Sequence, residues 1–345
     1  MLEGIKPGLD IGSIKRRQIK SSRELVKIAP LFREDAPPVL VECRLESLDL
    51  ATWAEANHGL IDDLLSRHGG ILFRGFVNEG EQGLQKFAAA IRMQVMNYME
   101  GATPRKALGN NIYSSTEFPP DQTIALHNEN SYVMTWPMKV CFGCAVAPQD
   151  RGETPIADVR KVLARISPSI RKTFEQKKYM LVRNFSEHLS LPWRTSFKVS
   201  TKQELEQYCR KACIEAEWTG DEHLRTRQVR PAIAVHPRIN VPVWFNHIVF
   251  WHVSSLEKTV REALLAGSSE DDLPYNTYYG DGSRISDDII AELRQAYLAE
   301  TIKFPWQKGD LLFLDNMLVA HGRNPYSGPR KIVVSLGDPY TRTDM

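Results

Sequence analysis

The sequence predicts one domain of mixed α and β structure, in which a long, helix-rich segment is inserted into a core of strands. Apolar and β-branched runs typical of buried strands concentrate towards both ends of the chain, at residues 71–76, 140–146, 311–314 and 331–336. Helical periodicity dominates between them. Candidate metal ligands flank this helical region, and one shared β-core brings them together more simply than two tandem domains do. We therefore expect residues 1–345 to form a single domain with an insertion at about 157–300.

The individual elements follow from periodicity and from breaker residues. Apolar side chains of residues 50–68 fall on one helical face, and Gly69 with Gly70 ends that helix. The other predicted elements are, in order, strand 71–76, helix 84–91, a loop with short strands at 98–120, strands 124–132 and 140–146, helices 159–174 and 205–213, strand 241–253, helices 260–265 and 289–297, and strands 302–304, 311–314 and 331–336.

Composition excludes several classes of protein. The chain has 345 residues, of which 42% are hydrophobic and 25% charged, the balance of an ordinary globular protein. A net charge of +2 indicates neither a nucleic-acid-binding protein nor an acidic tail. No stretch approaches the ~18 apolar residues of a membrane helix, and the first residues lack the apolar core of a signal peptide. We expect a cytoplasmic protein without nucleic-acid or membrane partners.

The cysteines fit a reduced compartment. Five cysteines is an odd number and a low density for this length. Cys141 and Cys144 have CxxC spacing, but no second pair completes a tetrahedral zinc site. They lie in an apolar strand and are predicted to be packing residues, as are Cys209 and Cys213, one helical turn apart.

His127 and Glu129 are the first candidate metal ligands. They are two residues apart, so an extended backbone would direct both side chains to one face. Imidazole and carboxylate together suit divalent iron, manganese or zinc. A bare pair of this kind also arises by chance, and two ligands do not hold a metal in a water-filled pocket.

His321 is the best candidate for the third ligand. It follows an apolar run that begins at Leu311 and reads as a buried strand ending in a polar turn. Two histidines and one carboxylate would form a facial triad with open coordination positions, the arrangement of non-haem iron(II) oxygenases. His247 and His252 could compete as ligands, but neither shares a short motif with a carboxylate, so we interpret them as supporting or packing groups.

Thr154 and Arg330 each allow two interpretations. The Thr154 hydroxyl could donate to a carboxylate, although turn threonines commonly bond their own backbone. Arg330 begins the strand 331–336, where an arginine is usually a surface charge; as a functional group it could hold a dicarboxylate through two parallel hydrogen bonds.

An ordered set of motifs extends over nearly the whole chain, from about residue 16 to residue 340. The motifs are residues 71–76, 115–119, 127–132, 152–158, 224–227, 279–282, 314–317 and 321–323. This set resembles the TauD/TfdA (clavaminate synthase-like) superfamily of Fe(II)/2-oxoglutarate-dependent dioxygenases, and within it the SyrP-like amino-acid hydroxylase branch.

The resemblance implies a fold, a set of ligands and a reaction. The fold would be a double-stranded β-helix (jelly-roll) core with a helical insertion over the active-site mouth. Fe(II) would be held by His127, Glu129 and His321, and the carboxylate of 2-oxoglutarate by Thr154 and Arg330. With O2 as the other cosubstrate, the enzyme would hydroxylate an unactivated C–H bond and release succinate and CO2.

The substrate implied by the resemblance is a small molecule, either an amino acid or an amino-acid derivative, free or tethered to a carrier protein. Desaturation and ring closure begin with the same hydrogen abstraction and remain open. The residues predicted to line or support the substrate pocket are Ser115, Thr116, Asn246, His247 and Arg323. His247 stands where this branch carries an amide side chain, and Arg151 and residues 238–240 also depart from its pattern.

Two alternatives keep the triad but change its role. A zinc hydrolase would use the same ligands to lower the pKa of a bound water, and it would leave Thr154 and Arg330 without a role. A jelly-roll binding protein would retain the triad without catalysis.

Overall fold

The computed structural model describes residues 25–96, 100, 107–109, 112–114, 118–186, 190–267 and 269–342. Strands lie at both ends of this part of the chain, as predicted. In chain order they are β1 (Val26–Pro30), β2 (Val39–Cys43), β3 (Gly70–Arg74), β4 (Ala107–Gly109), β5 (Ile112–Ser114), β6 (Ile124–His127), β7 (Thr135–Val146), β8 (Asp150–Arg151), β9 (Ile156–Asp158), β10 (Tyr179–Phe185), β11 (Glu215–Trp218), β12 (Leu224–Arg230), β13 (Ile233–Val235), β14 (Pro242–Trp244), β15 (Tyr275–Tyr279), β16 (Thr301–Ile302), β17 (Leu311–Asp315), β18 (Val319–Arg323), β19 (Tyr326–Ser327) and β20 (Lys331–Thr341).

Most of the helices lie between β9 and β16. The helices are α1 (Leu50–Ala56), α2 (His58–His68), α3 (Gly80–Ala90), α4 (Val159–Arg165), α5 (Pro168–Lys177), α6 (Trp193–Phe197), α7 (Lys202–Lys211), α8 (Ile248–Trp251), α9 (Lys258–Gly267) and α10 (Asp287–Glu300).

An eight-stranded sheet forms the centre of the molecule, in the order β1-β2-β3-β17-β7-β20-β5-β4. All of its neighbouring strands are antiparallel except β2 and β3. Every residue of β17 is buried, because both faces of the sheet are covered. Leu312 and Leu314 contribute to one apolar cluster and Leu311 and Phe313 to another, since alternate side chains point to opposite faces. Two covered faces therefore explain the uninterrupted apolar runs in the sequence.

A smaller antiparallel sheet, β16-β9-β18-β6, carries the strands of the candidate site. The fold is thus mixed α and β with several antiparallel sheets, as the sequence predicts.

Residues 157–300 are not only helical. They also hold a four-stranded sheet, β11-β12-β10-β15, and the hairpin β13-β14, which the sequence analysis did not separate from its helices and loops. Arg230 of β12 is fully buried, and its guanidinium donates to backbone carbonyls, including those of Tyr132 and Ala212. The sheet is therefore bonded directly to the chain segment that follows β6.

Several predicted elements differ from the observed ones. The predicted strand 124–132 is strand only over Ile124–His127. The predicted strand 241–253 is strand only over Pro242–Trp244; the Asn246 side chain then accepts the Ile248 N–H, and helix α8 begins. The predicted helix 50–68 breaks at Asn57, where α1 ends and α2 starts. The predicted helix 159–174 is interrupted before Pro168, which occupies the first turn of α5.

Three of the four cysteines predicted to be packing residues are buried. Cys141, Cys144 and Cys209 are buried, and burial raises the pKa of the Cys144 and Cys209 thiols to about 12, as expected of inert packing groups. Cys43 is half-buried. The prediction that Cys213 is buried is wrong, because it lies exposed beyond the end of α7.

Within the described ranges, no helix combines the length and the apolar character needed to cross a membrane.

Candidate active site

His127 and His321 are brought together by pairing of neighbouring strands. His127 is the last residue of β6, and its antiparallel partner in β18 is His321. The centroids of the two imidazole rings are 4.7 Å apart. His321 lies inside β18 rather than in a turn after the apolar strand, so that part of the sequence interpretation is wrong. The turn falls earlier, between β17 and β18, and strand pairing fixes the position of the histidine.

Glu129 lies in a turn that is held by Asn316. β6 ends at His127, so the backbone is not extended through Glu129 as the spacing had suggested. The Glu129 N–H donates to Asn316 Oδ1 at 2.8 Å, and Asn316 Nδ2 donates to the carbonyls of Glu129 and Pro137, each at 2.8 Å. Asn128 Nδ2 in turn donates to the Asn316 carbonyl at 2.6 Å. The carboxylate is therefore placed by a network of buried side-chain amides.

The three side chains converge on one point. One ligand atom from each of His127, Glu129 and His321 lies within 4.8 Å of the others. His321 Nε2 and Glu129 Oε2 are 3.9 Å apart. His127 Nδ1 lies 2.9 Å from the Ala125 carbonyl, which leaves the Nε2 lone pair for a metal, the usual arrangement of a ligating histidine. Two imidazoles and one carboxylate fit divalent iron with open coordination positions.

A recess beside the triad contains Thr154 and Arg330, together with Ile332 and Val334 of β20. Arg330 Nε donates to the Gly152 carbonyl at 3.0 Å, and the guanidinium lies 5.3 Å from the centroid of the Tyr326 ring. Burial, followed by the charge of Arg323, lowers the pKa of Arg330 to about 10. Among the residues that the structure describes, no carboxylate pairs with this guanidinium, so the recess offers an anion a partly buried positive charge.

Thr154 faces the same recess. Its hydroxyl oxygen accepts the Trp306 Nε1–H at 3.2 Å and keeps its own proton for donation. Lys331, next to Arg330 in sequence, points away, and its ammonium pairs with Glu81 at 2.8 Å on the surface. Of the two neighbouring cations, only Arg330 lines the recess.

A larger cavity of about 740 Å³ opens on the other side of the metal ligands. This volume is within the range of small-molecule sites. His127 and Glu129 line both the cavity and the recess. The cavity walls are largely aromatic, and residues at the cavity include the carboxylates Asp121 and Glu257. The aromatic residues are Phe118, Tyr132, Phe250, Trp251 and Tyr275.

His247 is the polar ring in that aromatic wall. Its centroid lies 4.5 Å from that of Trp251 and 4.9 Å from that of Tyr132, so the imidazole is clamped. Its Nδ1 lies 2.6 Å from the Ser131 hydroxyl. Burial, and then the neighbouring His127, lower the pKa of His247 well below its usual value.

A family model described as "Taurine catabolism dioxygenase TauD, TfdA family" matches residues 33–336. The chain belongs to this family. Members are Fe(II)- and 2-oxoglutarate-dependent oxygenases, and this enzyme accordingly uses Fe(II) with 2-oxoglutarate and O2 as cosubstrates. Family membership therefore argues against both alternatives, a zinc hydrolase and a non-catalytic binding protein.

Two curated relatives match most of the chain. The dapdiamide synthesis protein DdaC of Enterobacter agglomerans is 40% identical over 283 residues, which are 82% of this chain and 86% of DdaC. A clavaminate synthase-like protein of Arabidopsis thaliana is 29% identical over 286 residues, covering 80% of this chain and 83% of that protein.

Solved structures share the fold. PvcB of Pseudomonas aeruginosa, described as an Fe, alpha-ketoglutarate dependent oxygenase from an isonitrile synthetic pathway, superimposes with a TM-score of 0.53. The superposition covers 94% of this chain and 95% of PvcB, at 16% identity.

The residues predicted to serve the substrate occupy different positions in this TauD-family chain. His247 lines the larger cavity. Asn246 does not line it: its amide donates to the Ala232 carbonyl and accepts the Ile248 N–H, so its predicted role is limited to supporting the start of α8. Arg323 donates to the carbonyls of Phe118, Pro119 and Gln122 and thus supports the loop at the cavity rim. Ser115 and Thr116 lie outside the described residues.

Several functional positions carry no signal that the sequence analysis used. Asn316 lies in the motif 314–317, and an amide directly after a buried aspartate is the signal that could have identified it. Phe250 and Trp251 were placed in a strand, although α8 presents them to the cavity. Trp306 and Tyr326 have no local motif, and only the fold brings them to Thr154 and Arg330.

Proposed function

We propose that this enzyme hydroxylates an unactivated C–H bond of an amino acid or of an amino-acid derivative, either free or tethered to a carrier protein. The main support is the chemistry of the larger cavity. Besides the triad residue Glu129, its described lining residues include two carboxylates and several aromatic rings, but no lysine or arginine. Aromatic faces and carboxylates attract an ammonium group, and an anionic substrate would lack a lysine or arginine partner there.

The residue roles follow from the two cavities. We propose that His127, Glu129 and His321 hold the iron, and that Arg330 and Thr154 hold the distal carboxylate of 2-oxoglutarate in the recess. When bound, the metal and 2-oxoglutarate supply the oxidising chemistry that releases succinate and CO2. The protein's part is to orient the two molecules on opposite sides of the triad and to exclude water with apolar side chains such as Ile332 and Val334.

The architecture supports the same proposal. We infer that the eight-stranded sheet and the sheet β16-β9-β18-β6 form the two walls of a jelly-roll in one oxygenase domain. The insertion at about 157–300 then serves as a lid, because α8 and β15 contribute His247, Phe250, Trp251 and Tyr275 to the cavity. Desaturation and cyclisation begin with the same hydrogen abstraction as hydroxylation and differ only in how the substrate reacts afterwards.

The relatives support a biosynthetic role. The most similar of the two curated relatives is named for dapdiamide synthesis, and PvcB for an isonitrile synthetic pathway. We therefore place the reaction in the biosynthesis of a secondary metabolite rather than in catabolism.

A coupled assay tests this proposal. The iron-loaded enzyme is incubated with 2-oxoglutarate and each amino acid, free or loaded on a carrier protein, and succinate and oxidised product are quantified. We expect at least one amino-acid-type compound to raise succinate formation above the substrate-free rate with equimolar oxidised product. Stimulation by anionic non-amino compounds alone would contradict the assigned substrate class.

A further inference from the structure

The contact between Ser131 and His247 decides which nitrogen of this imidazole carries the proton. The Ser131 hydroxyl is completely buried, and its oxygen lies 2.6 Å from His247 Nδ1. In the described part of the chain, Nδ1 is the sole acceptor within reach of that hydroxyl proton. If Nδ1 carried a proton, the hydroxyl proton would be buried without an acceptor, which is unfavourable. Ser131 therefore donates and Nδ1 accepts.

His247 lines the cavity, and its remaining ring nitrogen is Nε2. With a lone pair at Nδ1, the imidazole carries its proton at Nε2. No described protein group bonds to Nε2, and the ring cannot turn over, because it is clamped between Tyr132 and Trp251. His247 also lies close to the metal ligands, since its centroid is 5.7 Å from that of His127.

We infer that His247 presents a fixed Nε2–H donor to the larger cavity, and that the substrate places an acceptor oxygen against it, close to the metal. This rests on the proposed function, which it makes more specific. The oxygen belongs to a carboxylate or to an amide, ester or thioester carbonyl. The ammonium group of the same molecule is directed towards Asp121 and Glu257 elsewhere in the cavity. Ser131 is then a positioning residue, because it acts through the tautomer of His247.

Other histidines of the chain provide reference states for a test. His252 Nδ1 accepts the Ser254 N–H at 3.1 Å, and His236 Nδ1 accepts the Arg238 N–H at 3.2 Å, so both are Nε2–H imidazoles. His127 has the opposite tautomer, since its Nδ1 donates to a carbonyl. One spectrum of the full chain thus contains standards for both forms.

The first experiment measures the tautomer directly. The full-length chain with ¹⁵N-labelled histidine is loaded with Zn²⁺, which is diamagnetic, and with 2-oxoglutarate, and two-bond ¹H–¹⁵N correlations are recorded. The His247 signals are identified by their loss in His247→Gln or, if that variant does not fold, in His247→Asn, with His252→Gln as the matched control. We expect the pattern of His236 and His252. The pattern of His127 would overturn the inference.

The role of Ser131 is tested in the same spectrum. Ser131→Ala removes the donor to Nδ1, and we expect His247 to lose its single tautomer, while His236 and His252 keep theirs. An unchanged His247 pattern in Ser131→Ala would mean that the serine does not set the tautomer. The wild-type spectrum alone still decides which nitrogen is protonated if Ser131→Ala does not fold.

The second experiment tests the acceptor oxygen with a matched pair of probes. L-Alaninamide and isopropylamine share a three-carbon skeleton and an amine, but only the first has a carbonyl oxygen. We expect L-alaninamide to shift the His247 Nε2–H resonance at millimolar concentration and isopropylamine to leave it in place. Equal shifts, or none with either probe at 100 mM (about the weakest binding of interest), would overturn the acceptor assignment. Neither experiment depends on turnover, so failure of the proposed function in the succinate assay is a separate outcome.

Discussion

Arg330 and Lys331 are adjacent cations in opposite environments. Arg330 shares the recess with Ile332 and Val334, as expected if alternate residues of a strand face the same side. Lys331 is half-exposed and pairs with Glu81 on the surface. A buried guanidinium can hold a carboxylate through two parallel hydrogen bonds, whereas an exposed ion pair contributes about 0–1 kcal/mol.

The expected consequence is a large difference between two alanine variants. Losing a buried charge-assisted pair costs roughly 2–5 kcal/mol. Arg330→Ala should therefore raise the apparent 2-oxoglutarate constant at least about tenfold. Lys331→Ala should leave it nearly unchanged. The measurement is succinate formation at varied 2-oxoglutarate concentration, and the reverse ranking would assign the anchor to Lys331.

Glu129 supplies the carboxylate of the triad, so its removal should weaken metal binding. Changes to groups that merely orient metal ligands cost roughly 10–100-fold in affinity, and loss of a ligand should cost more. We expect Glu129→Ala to lose bound iron and hydroxylation together, with the surface variant Glu81→Ala as control. Metal analysis after dialysis checks this, and wild-type iron content in Glu129→Ala would remove the residue from the ligand set.

Because a carboxylate fills this position, we also expect oxygen insertion rather than halogenation.

Residue-level prediction from the sequence worked where chemistry and spacing coincide. His127, Glu129 and His321 were chosen because their side chains suit the same metal, and the fold brings them together. Asn246 and His247 were both predicted at the substrate pocket from the resemblance, yet the chain turns between them and only His247 faces the cavity. No local pattern distinguishes the two, since the turn depends on the carbonyl of Ala232, which lies between β12 and β13.

At the scale of elements, the turn between β17 and β18 holds the turn that carries Glu129 in place through hydrogen bonds. One side chain, Asn316, satisfies the Glu129 N–H and the carbonyls of Glu129 and Pro137. All of these groups are buried away from water. Each unpaired buried polar group costs about 1–3 kcal/mol, so the amide fixes both stability and ligand geometry.

We expect Asn316→Ala to lower the free energy of unfolding by about 2–5 kcal/mol, since three backbone groups lose their partner. Iron affinity should fall roughly 10–100-fold, because Glu129 loses its support. Urea unfolding and iron titration measure the two effects. Asn57→Ala is the matched control: its amide bonds the Trp53 carbonyl at the junction of α1 and α2, remote from the triad. A loss of iron affinity of equal size in Asn57→Ala would show that the effect is only general destabilisation.

Element types were predictable where one periodicity dominates. The predicted runs 140–146 in β7 and 311–314 in β17 are apolar throughout because both faces of the sheet are covered, and the shortness of these runs distinguishes them from helices. Helix α8 was taken for a strand because Ile248, Val249, Phe250 and Trp251 all favour strands. Its helical turn comes from the Asn246 cap and from packing around the cavity, which are properties of the tertiary structure.

For the whole molecule, the insertion and the core are joined by buried polar contacts on both sides of the metal ligands. The Tyr132 carbonyl, after β6, accepts Gln228 Nε2–H at 3.0 Å and Arg230 Nε–H at 3.1 Å from β12. On the other side, His236 Nε2 lies 3.0 Å from Asp315 Oδ2, at the end of β17. The cavity wall formed by the insertion is therefore bonded to the same turns that hold the ligands.

The contact between His236 and Asp315 gives a test of this coupling. His236 Nδ1 accepts backbone N–H groups, so its Nε2–H must donate to Asp315. The other carboxylate oxygen accepts the N–H groups of Met317 and Leu318. An asparagine amide at position 315 cannot bond both His236 and the backbone N–H groups of Met317 and Leu318. In either orientation its NH2 group faces one of these N–H donors. Asp315→Asn keeps the shape of the side chain and should still destabilise the protein by about 1–3 kcal/mol.

The effect of Asp315→Asn should be concentrated at the joint between insertion and core. We expect faster hydrogen exchange in residues 233–256, which include β13, β14 and α8, because the hairpin loses its bond to β17. Strands β7 and β20 should keep their protection where they pair with each other, since Asp315 takes part in the pairing of β17 with β7 and not in this one. Asp150→Asn, at an exposed position on β8, is the control. Uniformly faster exchange throughout the chain would instead mean that insertion and core open as one unit, and the lid could not move independently of the metal site.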